Sequence, residues 1–238
     1  MVKFVSMQEL VPLPTGVSLE TVRIYPNPKQ SSTKLAVCLH PWSWLGGNMN
    51  DPVIHTLVLL LQAREYHVIY YNSRGVGKST GTASFTGQSE ANDLKAIVQL
   101  ALEEIPSIQT VVLVGYSHGS LITSLHPILQ PNIKIWYLLL SYPLSPRGFL
   151  TLFRSKSYES ALNNLVRHPD VNILVVFGDR DNFTSESKYD NWTEALQKEA
   201  RGDGTGTLQV VKVAGASHFW ASAEERGQLE QVVGAWLP

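Results

Sequence analysis

Short runs of apolar, largely β-branched residues recur along the chain with enough sequence between most of them for a helix. They fall at Leu35–Leu39 (LAVCL), Val68–Tyr71 (VIYY), Thr110–Val114 (TVVLV), Ile133–Leu140 (IKIWYLLL), Val171–Phe177 (VNILVVF) and Leu208–Val213 (LQVVKV). Runs with little polar alternation suit strands that are buried on both faces. The intervening segments read as helices. Asp51-Pro52 supplies a cap and a first-turn proline for a helix to about Glu65, and Ser89–Glu104 sets Leu94, Ile97, Val98 and Ala101 at helical spacing. Further helices are predicted around Ser120–Leu129, Ser157–Arg167, Ser185–Ala200 and Ala223–Trp236. Two earlier segments, Phe4–Val11 and Val17–Ile24, are joined at Pro14-Thr15-Gly16 and predict an antiparallel pair at a sheet edge. The whole is an α/β pattern: a mostly parallel central sheet of about eight strands with helices on both faces.

Composition narrows what such a chain can do. Its 238 residues fit one domain spanning 1–238, near the upper size that one core organises. Nineteen Lys and Arg against twenty Asp and Glu leave a net charge of −1, with 16% charged and 44% hydrophobic residues. That balance excludes a disordered chain and offers no basic field for a nucleic-acid partner. The one cysteine, Cys38, sits inside a predicted strand, where it is an inert packed thiol and forms neither an internal disulfide nor a cysteine zinc site. The segment Met1–Pro14 carries Glu9 and two prolines where a signal peptide would be unbroken and apolar, and the run Leu57–Leu61 falls far short of the roughly 18 residues of a membrane span. The expectation is a cytoplasmic protein, monomer or homodimer, with no membrane or nucleic-acid partner. His55, His67, His126 and His168 show no metal-ligand spacing, so no metal and no cofactor are expected.

In open parallel sheets, function gathers beyond the carboxyl ends of the strands. Three of the apolar runs are followed there by chemistry. Gly115-Tyr116-Ser117-His118-Gly119 follows Thr110–Val114 and has the G-x-S-x-G form, a sharp strand-to-helix turn that pushes the serine out above the sheet. A serine hydroxyl needs a base, and the base needs an orienting group. Gly178-Asp179-Arg180-Asp181 follows the next-to-last run, and Ala214-Gly215-Ala216-Ser217-His218 the last. Ser117, Asp181 and His218 therefore stand in the order nucleophile, acid, base, with Asp179 a competitor for the acid. The third segment, His40-Pro41-Trp42-Ser43-Trp44-Leu45-Gly46-Gly47, follows Leu35–Leu39. Acyl transfer needs two N–H donors for the oxyanion. His118 supplies one; because Pro41 has no N–H, Trp42 supplies the other, with Ser43 as the alternative. His40 reads as a hydrogen-bonding brace for that loop.

With these residues in place, the chain resembles the α/β-hydrolase superfamily over most of its length, from His40-Pro41 to His218. Asn72-Ser73-Arg74-Gly75-Val76-Gly77-Lys78-Ser79 is similar to the R-G-x-G-x-S turn found in many members, and the H-P…G-G-N-M loop, with Asn48 and Met49, is similar to small dienelactone-hydrolase-like and esterase-like members. True dienelactone hydrolases carry a cysteine where this chain has Ser117. The resemblance implies Ser117 as nucleophile, His218 as general base and then acid, and Asp181 as the orienting carboxylate. It implies a serine hydrolase cleaving a carboxylic ester or thioester of a small acyl substrate. A serine peptidase and a non-hydrolytic lyase or acyl transferase are the alternatives. Gly75-Val76-Gly77-Lys78-Ser79 also looks like the end of a phosphate-binding P-loop, but Asn72 stands where the first glycine is required.

Trp44, Phe149, Phe153 and Trp220 are predicted to line the substrate pocket, along with Trp42 and Phe183 on neighbouring loops. Arg147, Arg154 and Lys156 form a small basic cluster near Phe149. Only a short cap-like segment, about 141–168, lies where this superfamily inserts a lid. A minimal lid and a shallow, largely uncovered site follow.

Overall fold

The structure, a computed structural model, describes residues 3–28, 32–145, 155–200 and 206–238. Eight strands form one sheet: β1 (Lys3–Pro12), β2 (Ser18–Asn27), β3 (Lys34–Leu39), β4 (His67–Tyr71), β5 (Thr110–Tyr116), β6 (Lys134–Leu140), β7 (Val171–Arg180) and β8 (Thr207–Ser217). The spatial order is β1-β2-β4-β3-β5-β6-β7-β8. β2 runs antiparallel to both β1 and β4, and every other pairing is parallel. The edge hairpin expected from the Pro14-Thr15-Gly16 turn is therefore present, and β2 alone runs against the rest.

Six α-helices occur among the described residues: α1 (Pro52–Ala63), α2 (Gln88–Glu104), α3 (His118–Ser124), α4 (Ser155–Val166), α5 (Glu186–Glu199) and α6 (Ala223–Trp236). The two-sided burial inferred from the unbroken apolar runs is visible residue by residue. Val37, Val111, Leu113 and Val175 point to one core with Leu94 and Ile97 of α2, Leu121 of α3, Leu162 of α4 and Leu196 of α5. Ala36, Cys38, Val112, Val114 and Val176 point to the other with Ile54, Leu57 and Leu61 of α1 and Leu229 and Val233 of α6. Each alternating strand residue serves one core, as the period-two geometry of a strand requires.

One predicted helix is shorter than expected. α3 ends at Ser124 rather than near Leu129 because His126-Pro127 follows: proline disfavours helical backbone at the residue before it and cannot donate to the turn behind it. No described helix is long and apolar enough to cross a membrane.

Candidate active site

The carboxyl ends of β3, β5, β7 and β8 lie on one rim of the sheet, and each predicted motif hangs from one of them. At the end of β5 the chain turns through Ser117, whose backbone sits at φ 52° and ψ −117°. A non-glycine residue there is strained, and the flanking glycines are what allow the turn. A Cβ on Gly115 would come within 2.5 Å of the Gly119 carbonyl oxygen and Ser120 Cα, and one on Gly119 within 2.6 Å of the Leu39 carbonyl oxygen. The turn is tied down by the Ser117 N–H donating to the Leu140 carbonyl at 2.8 Å and by Ser120 Oγ donating to the Ser117 carbonyl at 2.6 Å.

Ser117 Oγ lies 2.8 Å from His218 Nε2, and His218 Nδ1 lies 2.7 Å from Asp181 Oδ2. A carboxylate only accepts, so Nδ1 carries the proton and donates to Asp181, leaving Nε2 to accept from the serine hydroxyl. Asp181 is buried, and its other oxygen accepts from the N–H groups of Phe183 and Thr184 at 2.8 and 2.9 Å. Asp179 is turned elsewhere: its Oδ1 accepts from the Gly215 N–H at 2.7 Å and ties the β7 and β8 ends together. The Tyr116 hydroxyl donates to the His218 carbonyl at 2.9 Å, and the Phe183 ring meets the imidazole edge-on with centroids 4.6 Å apart.

The loop after β3 forms one wall of the cavity beside Ser117. His40 explains its shape. The Ser73 N–H donates to His40 Nε2 at 3.0 Å, so the ring proton is on Nδ1, which donates to the Pro41 carbonyl at 2.6 Å. One neutral imidazole thus links the ends of β3 and β4 and brackets the loop. The Trp42 carbonyl accepts from Leu45 and Gly47, both at 3.1 Å, closing a tight turn. A Cβ on Gly47 would collide with the carbonyls of Pro41 and Trp42, so the backbone passes where only glycine fits. Gly47→Ala is expected to displace this loop and cost about 10²-fold in turnover, the size of losing one oxyanion donor, with unchanged circular dichroism. His118 is the first residue of α3, where an N–H has no acceptor within the helix.

Asn72 and Glu20 hold the same loop from behind. The Met49 N–H donates to Asn72 Oδ1 at 2.8 Å, while Asn72 Nδ2 and the Lys78 N–H donate to Glu20 Oε2 at 2.8 and 2.9 Å. The Lys78 N–H bond holds the Glu20 carboxyl below its ordinary range. In a phosphate-binding loop that N–H would meet a phosphate; here an internal carboxylate takes it. Arg74 of the same turn is paired with buried Asp93 through two bonds of 2.7 and 2.6 Å.

Burial pushes His40 and His126 down to about 4 from an ordinary 6.5, and burial beside His40 does the same to part-exposed His118. For a base whose pKa is lowered on folding, the unfolded chain takes up protons first. Stability is therefore full above pH 6.5 and falls as the pH drops toward 4, by up to about 3 kcal/mol for each fully buried ring. Urea unfolding at pH 7 and pH 4.5 checks this; equal midpoints contradict it.

The cavity beside Ser117 has a volume of about 130 Å³ and is lined by Trp42, Leu45, Gly47, Asp51, Phe183 and Phe219, with Ser117 and His218 at its base. Trp44 stacks on Trp42 with centroids 5.7 Å apart, but is 61% exposed and stands on the outer rim with Phe85. Trp220 is misplaced by the sequence reading. Its backbone takes φ 49°, which turns the ring into the core under the site, where it is fully buried and donates from Nε1 to Ser141 Oγ at 3.0 Å. It lines no cavity. Phe149, Phe153, Arg147 and Arg154 lie outside the described residues. Phe219 and Asp51 line the cavity although sequence reasoning passed over them in that role; their positions, next to His218 and at the start of the helix after the β3 loop, were the available signals. Among the described residues no group of three His, Cys, Asp or Glu is placed to hold a metal ion.

No family model matches the chain. It is 29% identical over 121 residues, about half of each chain, to an uncharacterised protein of Rickettsia prowazekii, so the match spans about half the length of that relative. Among solved structures, it superposes on an α/β serine hydrolase without lid from Xanthomonas campestris with a TM-score of 0.73 and 24% identity, covering 98% of this chain and 95% of that one. It also superposes on an esterase from Pyrococcus furiosus with a TM-score of 0.70 and 18% identity, covering 99% and 92%. With the sheet order, the strained serine turn and these superpositions together, the protein is identified as having the α/β-hydrolase fold.

Proposed function

We propose that the protein is a serine hydrolase that cleaves a carboxylic ester or thioester through an acyl-enzyme. The observation that carries this reading is the continuous chain from Ser117 Oγ to His218 Nε2 and from His218 Nδ1 to Asp181, with both links at hydrogen-bond length. Ser117 attacks the carbonyl carbon as His218 takes the hydroxyl proton. The imidazolium that forms is stabilised by Asp181, which stays ionised. The developing oxyanion is held by the N–H groups of His118 and Trp42. His218 returns the proton to the leaving group, then activates water to release the acid and regenerate Ser117.

The same groups could also cut an amide or pass the acyl group to an acceptor other than water. Substrate comparison separates these chemistries. Short-chain p-nitrophenyl esters are expected to be turned over at least about 10²-fold faster than the matching aminoacyl anilides, with one ¹⁸O from labelled water in each acid product. Faster anilide cleavage makes the protein a peptidase, an acylated acceptor in place of free acid makes it a transferase, and product acid without the label makes it a lyase.

A further inference from the structure

The cavity beside Ser117 contains a carboxylate that the mechanism does not use. Asp51 caps α1, accepting from the Val53 N–H at 2.8 Å, and is one of the residues that line the cavity. A cap alone is an ordinary role for aspartate, and burial raises its pKa, which makes this a costly place to keep a charge. Among the described residues no lysine, arginine or histidine forms an ion pair with it. The other charges nearby add to its sign. Tyr116, which also lines the cavity, is held far above its ordinary pKa, first by burial and then by Asp51, Asp181 and Glu225. The opposing cations are Arg226 and, when protonated, His55, both of which act on Asp51 through space. Arg226 is anchored outside the cavity lining, with Nη1 on the carbonyls of Trp220 and Ala221 at 2.9 and 2.7 Å, and His55 is exposed on the first turn of α1, also outside the lining. Asp51, Asp181 and Glu225 all act on Tyr116 at this site, and neither opposing group is among the lining residues.

Apart from Asp51, Ser117, His218 and Tyr116, the other described lining residues are apolar or aromatic. Trp42, Phe183 and Phe219 line the same 130 Å³, and the Phe183 and Phe219 rings meet edge to face with centroids 5.6 Å apart. One carboxylate and several aromatic rings, with no lysine or arginine among the described residues of the lining, form an environment that favours a small organic cation over an anion or a neutral chain. We propose that Asp51 is a specificity-determining residue that selects ester substrates bearing a short ammonium group. This rests on the hydrolase reading above and names the substrate class of the same site.

The test compares isosteric pairs at pH 7.5: 3-aminopropanoyl against butanoyl p-nitrophenyl ester for an ammonium on the acyl side, and 2-aminoethyl against propyl butanoate for one on the alcohol side. In at least one pair the cationic member is expected to have a kcat/KM at least about tenfold higher, the size of one charge-assisted contact, with the ratio shrinking as salt rises. Asp51→Asn, which keeps the cap, is expected to bring that ratio to about one. A ratio at or below one in both pairs for the wild-type protein, or a ratio unchanged in Asp51→Asn, overturns the proposal. Binding of 3-aminopropanamide against butanamide, followed by calorimetry on the Ser117→Ala variant, reads the subsite without turnover. If no ester is hydrolysed, the hydrolase reading fails, while tighter binding of the cationic amide still supports the subsite and equal binding removes it.

Discussion

Ser117→Ala is expected to lower ester turnover by about 10⁴-fold or more while the protein remains folded. The substitution removes one oxygen and, with it, the 2.8 Å contact to His218 Nε2. It leaves what shapes the turn: the backbone bonds of Ser117 to Leu140 and Ser120, and the flanking Gly115 and Gly119. Alanine at φ 52° is strained in the same way as serine, so the change adds no new backbone cost. His218 retains its bond to Asp181 and stays in place, but has no hydroxyl to activate. In the proposed reading, residual turnover measures what the His118 and Trp42 N–H groups and binding contribute without the Ser117 hydroxyl. Steady-state hydrolysis of p-nitrophenyl butanoate, with thermal denaturation as the folding control, reads the outcome.

Asp181→Asn is expected to cost about 10³–10⁴-fold in kcat, and Asp179→Asn less than about tenfold. The difference arises in the imidazole. In Asp181→Asn the side-chain amide oxygen can still accept from Phe183 and Thr184, so the loop keeps its shape. The amide NH₂ then faces His218 Nδ1, where a carboxylate oxygen stood 2.7 Å away. An amide donor forces Nδ1 to accept, which moves the ring proton to Nε2, where it can no longer receive the proton of Ser117. Asp179 only accepts a backbone N–H from Gly215, a bond that the amide oxygen of Asp179→Asn reproduces. Loss of turnover with Asp179→Asn and not with Asp181→Asn would reverse the assignment of the acid.

The architecture was legible because burial on both sheet faces writes itself as unbroken apolar runs. Thr110–Val114 and Val171–Phe177 are strands whose residues alternate between two cores, so both faces call for apolar side chains. Boundaries were less legible where tertiary pairing extends a strand past its apolar stretch, as in β8, which runs on to Ser217 beside β7. The placement of the three motifs at strand ends was legible for a different reason: the strand end, the turn and the polar side chain adjoin in the chain as they do in space. The cavity lining was not. Whether an aromatic residue faces substrate or core depends on one backbone angle, as at Trp220, where φ 49° sends the ring inward while its neighbour Phe219 stays half exposed at the rim. The Glu20–Asn72–Met49 relay joins residues 52 and 23 positions apart and has no local signature. Asp51 reads along the chain as a helix cap; its place beside Ser117 and His218 in the cavity lining has no local signature.

The claim that Ser117 is an activated nucleophile is tested most directly by covalent capture. Wild-type protein incubated with a fluorophosphonate and analysed by mass spectrometry is expected to gain one adduct, located on the peptide containing Ser117, and Ser117→Ala is expected to gain none. Equal labelling of the two proteins, or an adduct on any other residue, would contradict the account.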